Sequence, residues 1–537
     1  MAARQPNKPP FYITTAISYV NGPPHLGHAY EAIACDVIAR FKRLDGFDVM
    51  FLTGTDEHGQ KVEKTALAAG KEPKEFSDEI AGLFKDMAAE LNISNDQFIR
   101  TVEPQHIRSS QAIWKKLEEN GDIYLDKYEG WYSVRDEAFF AEDELTKAED
   151  GNWRAPSGAE VEWVEEPSYF FRLSNYTDKL LKHYKDNPGF IQPDFRRNEV
   201  VKFVEQKLTD LSISRTTFKW GVPVPGDDKH IMYVWLDALT NYITALGYPD
   251  TDGEQFATYW PADLHVIGKD IVRFHAVYWP AFLMSAGVEL PKQVFGHGFL
   301  TVGGAKMSKS VGNVLTPQDM VGEFGLDPVR YFLMREVPFG NDGSISREAI
   351  IHRVNSDLAN DLGNLAQRVL SMIAKNCEGK VPALEDGIDL LKDWPALNAL
   401  VESQVAIERI REHLDDRLAI HDAIEEIWKA VREANRFVDA MAPWALRKTD
   451  PARMGSVLYV LSETIRHIAI LTWPVMPGSS AKLLDQLAVP EDRRSIAHLN
   501  TDSIRGEYSL VPGTALPKPE GVFPRFVEDE AVSGGQG

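Results

Sequence analysis

The chain has 537 residues, 44% hydrophobic and 26% charged, with 58 basic against 80 acidic side chains and a formal charge of −22. That length exceeds a single core and predicts roughly three domains of a soluble globular protein. The charge excludes an indiscriminate nucleic-acid binder but leaves room for a specific RNA ligand held by a local basic surface. Two cysteines, Cys35 and Cys377, are too few for a disulfide framework or a cysteine-rich zinc knuckle, and they fit a reducing cytoplasm. No apolar run approaches the ~20 residues that span a bilayer, and Met1 to Pro10 lack an apolar secretory core. The expected location is therefore cytoplasmic, with no membrane partner.

Residues 11 to about 120 alternate strand and helix patterns. Tyr12-Ile13-Thr14-Thr15-Ala16 reads as a strand and Asn21-Gly22-Pro23-Pro24 as a turn. An amphipathic helix opens at His25-Leu26-Gly27-His28 and runs to about Leu44. Strand, glycine turn and helix N-terminus is where a parallel α/β fold binds phosphate. The helix start offers unpaired N–H groups and about half a positive charge. Gly27 has no Cβ, so a base or ribose can approach the backbone. His25 and His28 can donate to phosphate oxygens; two surface histidines at a helix start are the plainer alternative. Asp48-Val49-Met50-Phe51-Leu52 reads as a short buried strand, ending at the loop Thr53-Gly54-Thr55-Asp56-Glu57-His58-Gly59. Helical patterns follow at 58–69, 73–91 and 104–120.

From 124 to about 224, short aromatic runs such as Gly130-Trp131-Tyr132-Ser133 and Val161-Glu162-Trp163-Val164 alternate with acidic turns. This texture reads as an insertion into the α/β domain. The α/β pattern resumes at Ile231-Met232-Tyr233-Val234-Trp235. A strand, Leu264-His265-Val266-Ile267, then leads through Gly268-Lys269-Asp270 into a long helix ending near Ser285. Asp270 reads equally as a helix N-cap. Gly303-Gly304 precede Lys306-Met307-Ser308-Lys309-Ser310. Lysines in such a loop can close over a triphosphate and act most as pyrophosphate leaves; a solvated basic loop is the alternative. Beyond Ser310 the pattern is helical, at 319–324, 328–336, 345–374, 397–414, 420–440, 455–473 and 479–487. From about Pro512 the chain is rich in Pro, Gly and Glu and is expected to be disordered.

The histidine and lysine motifs, in this order and on these elements, resemble the paired signature of class I aminoacyl-tRNA synthetases. Further segments narrow the resemblance to methionyl-tRNA synthetases, over roughly residues 11–480. They are Ala16-Ile17-Ser18-Tyr19, Gly54-Thr55-Asp56-Glu57-His58-Gly59, Val234-Trp235-Leu236-Asp237-Ala238 and Gly268-Lys269-Asp270-Ile271, with Phe274-His275 after the last. Asn355-Ser356-Asp357-Leu358-Ala359-Asn360, with Leu362-Gly363-Asn364-Leu365, and Ala442-Pro443-Trp444 complete the set.

The resemblance implies an α/β fold: a Rossmann-type parallel-sheet catalytic domain split by an insertion, then an all-α helical bundle. The implied division is 1–120 and 229–300 for the two catalytic halves and 121–228 for a zinc-free insertion. A stem-contact region with the lysine loop would occupy 301–355, an anticodon-binding domain 356–512, and a disordered tail 513–537. His25, His28, Lys306 and Lys309 would be catalytic. With Gly27, Gly268 and Asp270 they would hold ATP, accompanied by Mg²⁺ on phosphate oxygens and water. Ile17, Tyr19, Asp56, Trp235, Ala238, Tyr242, Ile271 and His275 would form the methionine pocket. Asp56 would pair with the substrate ammonium, and the backbone of Ile17 would accept from it. Aromatic walls with one or two donors suit a polarisable thioether. On pattern alone Trp235 and Tyr242 read as core aromatics and His275 as a buried helix histidine.

Asn364, Arg368 and Trp444 would meet the anticodon of a methionine-specific tRNA. Asn364 and Arg368 share a helix face at i, i+4 spacing, and an exposed Trp444 could stack on a base, with packing between helices as its alternative. Many family members carry cysteine-ligated zinc knuckles in the insertion. Here Trp131-Tyr132-Ser133-Val134-Arg135-Asp136-Glu137 has no cysteine, so no zinc is expected. The insertion also looks too short for a separate editing domain, which would leave any homocysteine proofreading to the synthetic site. The implied reaction forms methionyl-adenylate and pyrophosphate, then transfers the methionyl group to the tRNA 3′ end. A different class I synthetase, a non-catalytic RNA-binding descendant and a small-molecule nucleotidyltransferase are the competing readings. A monomer is expected, because no appended tRNA-binding or dimerising domain follows the helices.

Overall fold

The computed structural model describes residues 8–136, 138–148, 150–302, 305–306, 316–386, 398–499 and 506–527. The chain forms two compact units. One comprises Pro10–Asp36 and Val49–Gly298, the other Met1–Pro9, Val37–Asp48 and Phe299–Gly537.

The first unit is built on a seven-stranded sheet. Its strands are β1 (Pro10–Thr14), β2 (Ser18–Tyr19), β3 (Asp48–Asp56), β4 (Gln97–Arg100), β5 (Ile191–Gln192), β6 (Leu264–Gly268) and β7 (Val294–His297). The order is β5-β7-β6-β1-β3-β2, with β4 also on β3. The pairs β1–β6, β6–β7, β5–β7, β2–β3 and β3–β4 all run parallel. Such a sheet is covered on both faces, which explains strands that are apolar without alternation: Tyr12, Ile13, Leu264, Val266, Ile267, Val294 and Phe295 are all buried. From β1 the chain reaches β3 on one side and later β6 on the other. The carboxyl end of β1 is therefore a topological switch point, where ligands bind in folds of this kind. The Rossmann-type sheet expected from sequence is thus present.

Several boundaries differ from expectation. β3 does not stop at Leu52 but continues through Thr53-Gly54-Thr55-Asp56. Glycine is demanded at position 54, because a Cβ there would lie 2.1 Å from the carbonyl oxygen of Ile99 in β4. The insertion at 121–228 is interrupted. Its long hairpin, Ile123–Ser133 against Glu162–Phe171, is antiparallel. The chain then returns to the main sheet as β5 before Leu211–Ser212 rejoins the hairpin. Nor does the α/β pattern resume at 231–235. Asp227–Met232 pairs antiparallel with Ser214–Arg215 and Pro223–Val224 in a sheet of its own, and Val234–Leu239 is a short helix.

In the second unit Leu300–Val302 pairs antiparallel with Ala305–Lys306 and parallel with Gly343–Ile345. Helices follow. The single helix expected at 345–374 is Arg347–Arg353, a wider π-helical stretch Val354–Gly363, and Asn364–Asn376. Pro451–Thr472 is apolar and long enough to cross a membrane, yet it is enclosed by the unit's other helices. Within it the buried Arg466 bonds Glu463 at 2.8 Å and the carbonyl of His498 at 3.0 Å. The disordered tail expected from 513 is corrected as far as residue 527. Asn355 exchanges two hydrogen bonds with the backbone of Phe526, at 3.0 and 2.8 Å, and Gln486 exchanges two with that of Glu520.

Candidate active site

The helix Leu26–Leu44 starts beside the end of β1. His25 is exposed and His28 half-buried, and their rings stack at 3.8 Å. The backbone N–H of His25 donates to His28 Nδ1 and that of Gly27 to His25 Nδ1, both at 3.1 Å. Two N–H groups at the helix start thus find imidazole acceptors. An Nδ1 that accepts carries no proton, so each neutral ring presents Nε2–H as a donor. Burial, followed by the charge of His25, holds His28 well below the ordinary histidine range. Gly27 is needed for a reason nearer than a nucleotide: a Cβ there would meet His25 Cε1 at 2.9 Å.

Glu31, one turn on, accepts the Ala16 N–H at 3.0 Å and pairs with His297 Nε2 at 2.8 Å. Burial alone would lower His297. The hydrogen bond and charge of Glu31 outweigh it and raise the imidazole above its ordinary value. Sequence reading missed this pair. The signal was His297 between two glycines, directly after a strand pattern.

The expected methionine residues come from four segments. Ile17 and Tyr19 follow β1, and Tyr19 pairs with Asp56 at the end of β3. Trp235 and Ala238 lie on Val234–Leu239, not at the end of a main-sheet strand as expected. Tyr242 is on the next short helix, Asn241–Thr244. Ile271 and His275 follow β6, where Ile271 ends a tight turn and His275 sits in a π-helical turn. The His275 Nδ1–H donates to the carbonyl of Ile271 at 3.0 Å, so its Nε2 accepts from Tyr242 Oη–H at 2.7 Å. Burial lowers His275 to about 4, so the ring is neutral at ordinary pH. Trp235 stacks on Phe274 with centroids 3.9 Å apart and meets His275 edge-on at 6.0 Å. Trp235, Tyr242 and His275, with Ile271 beside them, are thus joined in one wall, Tyr242 and His275 buried and Trp235 and Ile271 half-buried.

Gly268 precedes the turn Lys269–Ile271 with an extended backbone, and Asp270 is exposed inside that turn. No side chain caps the turn, so Asp270 is not the N-cap that its pattern allowed. Lys306 lies in the second unit, opposite Thr301 across two short strands. Lys309 lies outside the described residues. Also in the second unit, Asn364 is exposed and Arg368 half-buried on one helix face. The Arg368 guanidinium lies 5.3 Å over the Trp444 ring and bonds Asp439 at 2.9 Å. Ala442, in the left-handed region at φ 42°, turns the chain into the helix Pro443–Thr449 that carries Trp444. Trp444 is 49% exposed and is not packed away between helices.

Residues 11–149 and 152–370 match the family described as class I tRNA synthetases (M), and 395–534 match the anticodon-binding domain of methionyl-tRNA ligase. The chain belongs to the methionyl-tRNA synthetase family. A methionine–tRNA ligase of Mesorhizobium japonicum is 59% identical over 97% of this chain and 99% of its own length. One from Mycobacterium bovis is 54% identical over 98% and 99%. A solved Mycobacterium tuberculosis methionyl-tRNA synthetase in complex with methionyl-adenylate superposes with a TM-score of 0.92 at 55% identity, over 96% of this chain and all of that one. The chain is a class I methionine–tRNA ligase. It activates methionine with ATP to methionyl-adenylate and pyrophosphate, then transfers the methionyl group to the 3′ end of its tRNA.

Proposed function

We propose that the two steps run on residues of the first unit near the end of β1, served also by the two lysines of the later motif. The single observation that carries this reading is a self-capped histidine pair and an aromatic wall, both near the end of β1. His25 and His28, as Nε2–H donors, would meet the triphosphate, with Gly27, Gly268 and Asp270 beside the nucleoside and Lys306 and Lys309 on the departing pyrophosphate. Mg²⁺ would ride on phosphate oxygens and water, its preferred ligands, and neutralise charge as it develops.

Asp56, buried at the end of β3, would take the methionine ammonium with the backbone of Ile17. Tyr19, Trp235, Ala238, Tyr242, Ile271 and His275 would enclose the thioether. A methionine carboxylate oxygen then attacks the α-phosphorus, and the bond to the β-phosphate oxygen breaks. The tRNA terminal hydroxyl next attacks the adenylate carbonyl and AMP leaves. Positioning and charge stabilisation supply the rate, with no covalent enzyme intermediate.

We assign Asn364, Arg368 and Trp444 to the anticodon, and a monomer in the cytoplasm as the working form. The insertion is assigned as zinc-free, because its sequence over 121–228 offers no cysteine to ligate the metal, and around residues 131–136 the polar side chains bond one another. Asp136 accepts from Ser133 at 3.0 Å and from Ser157, while Arg135 donates to the carbonyl of Ser157 at 2.6 Å. The test is ATP–pyrophosphate exchange with each amino acid supplied singly. Exchange with methionine alone supports the pocket, and exchange with leucine, isoleucine or valine would void it.

A further inference from the structure

Asp237 is buried in the middle of the first unit, with both carboxylate oxygens engaged by histidines from distant segments. His58 Nδ1–H donates to Oδ2 and His106 Nε2–H to Oδ1, each at 2.7 Å. All three side chains are at most 5% exposed. Two charge-assisted bonds on one buried carboxylate hold their partners in a fixed geometry, because the low dielectric strengthens both.

The three residues sit on elements of unequal rigidity. His106 belongs to the sixteen-residue helix Pro104–Glu119, itself tied down by Gln105 to the carbonyl of Thr244 and Ser109 to that of Tyr248. Asp237 lies on Val234–Leu239, a helix of six residues without a side-chain cap. So short a helix cannot hold itself in water. His58 lies just past β3, in the loop after Asp56. Trp220 grips that loop from another side, donating its indole N–H to the Glu57 carbonyl at 2.6 Å, accepting the Gly59 N–H, and meeting His58 edge-on.

We propose that Asp237 is a positioning residue of the methionine subsite. Through His58 and His106 it registers the loop that follows Asp56 against the helix that carries Trp235 and Ala238. It touches no substrate itself. It sets the separation between the ammonium partner on one segment and the side-chain wall on the other, which neither segment can set alone. This rests on the methionine pocket proposed above.

The test is steady-state pyrophosphate exchange on the full-length enzyme, reading KM for methionine and for ATP separately, with thermal unfolding in parallel. His58→Ala and Asp237→Asn are expected to raise KM for methionine about tenfold or more, the scale of a small misplacement, and to leave KM for ATP unchanged. His58→Asn keeps an N–H near the Nδ1 position and should recover most of the loss. A network that served stability alone would lower the melting temperature and leave the two KM values moving together or not at all; that result overturns the proposal, as does a His58→Asn no better than His58→Ala. If Asp237→Asn fails to fold, the His58 pair still decides. Asp56→Asn and Trp235→Ala separate the two readings. If they leave KM for methionine unchanged, the pocket assignment itself is wrong; if they raise it while the His58 variants do not, only the positioning role falls.

Discussion

His275 shows how burial decides what a single side chain can do. Its helix pattern was legible in the sequence, its tautomer was not, because that depends on Ile271 and Tyr242 both being in reach. Buried and neutral, it has a folded value of about 4 against an ordinary 6.5, so the unfolded chain takes the proton first. Its contribution to stability is therefore full above about pH 6.5 and is lost as pH falls toward 4, the loss reaching on the order of 3 kcal/mol at the bottom of that window. Urea unfolding followed from neutral pH downward should show this decline, and His275→Gln should flatten it. His28, lowered for the same first reason, adds to the slope in the same direction. At this scale sequence reading failed mainly on partners. Glu31 and His297 are 266 residues apart, and nothing local announces that they meet.

At the scale of elements, glycines and turns did most to separate expectation from structure. The β3 strand looked as if it ended at Thr53-Gly54, because glycine usually punctuates a strand. Here it allows β4 to approach. Gly54→Ala should cost about 1–3 kcal/mol through forced separation of the two strands, read as a lower melting temperature. Equal stability would mean that β4 yields more easily than its contact with Gly54 suggests. The long hairpin of the insertion was legible from its aromatic texture. The return of Ile191–Gln192 to the main sheet was not, since two residues carry no periodicity. The long helices of the second unit were legible nearly to their ends, because their apolar stripes repeat over many turns, whereas the short helix Pro443–Thr449 was not.

The pair formed by Arg368 and Trp444 is likewise an element-scale product, set by one helix face and by the turn at Ala442. Trp444→Ala should lower kcat/KM for tRNA by roughly ten- to a hundredfold, the worth of one stacked base, while methionine-dependent pyrophosphate exchange stays unchanged. A parallel loss in both assays would place Trp444 in stability instead of recognition.

Over the whole molecule, a charge of −22 sets the background against which any RNA contact must work. Binding to an unstructured RNA such as poly(U) at physiological salt should be weaker than about 100 µM, measured by fluorescence anisotropy, while the matching tRNA is still charged. Tight poly(U) binding would contradict a recognition confined to local surfaces. The histidine motif sits at the carboxyl end of β1, at the switch point of the sheet, so it was readable without knowing which strands pair. Asp237 was readable only as part of a motif. Its bonds span 179 residues to His58 and 131 to His106, and only the folded chain brings those segments together.

An uncovered helix start in the cell would collect whatever small anion is most abundant. Here the imidazoles of His25 and His28 already occupy two of its N–H groups. Inorganic phosphate or sulfate, arriving alone, would meet only the two Nε2–H donors, with nothing else to hold it. ATP brings a ribose and a base that can bind elsewhere in the same cleft. The histidine pair would then act as a filter against small salts, holding firmly only the one ligand that arrives with a handle.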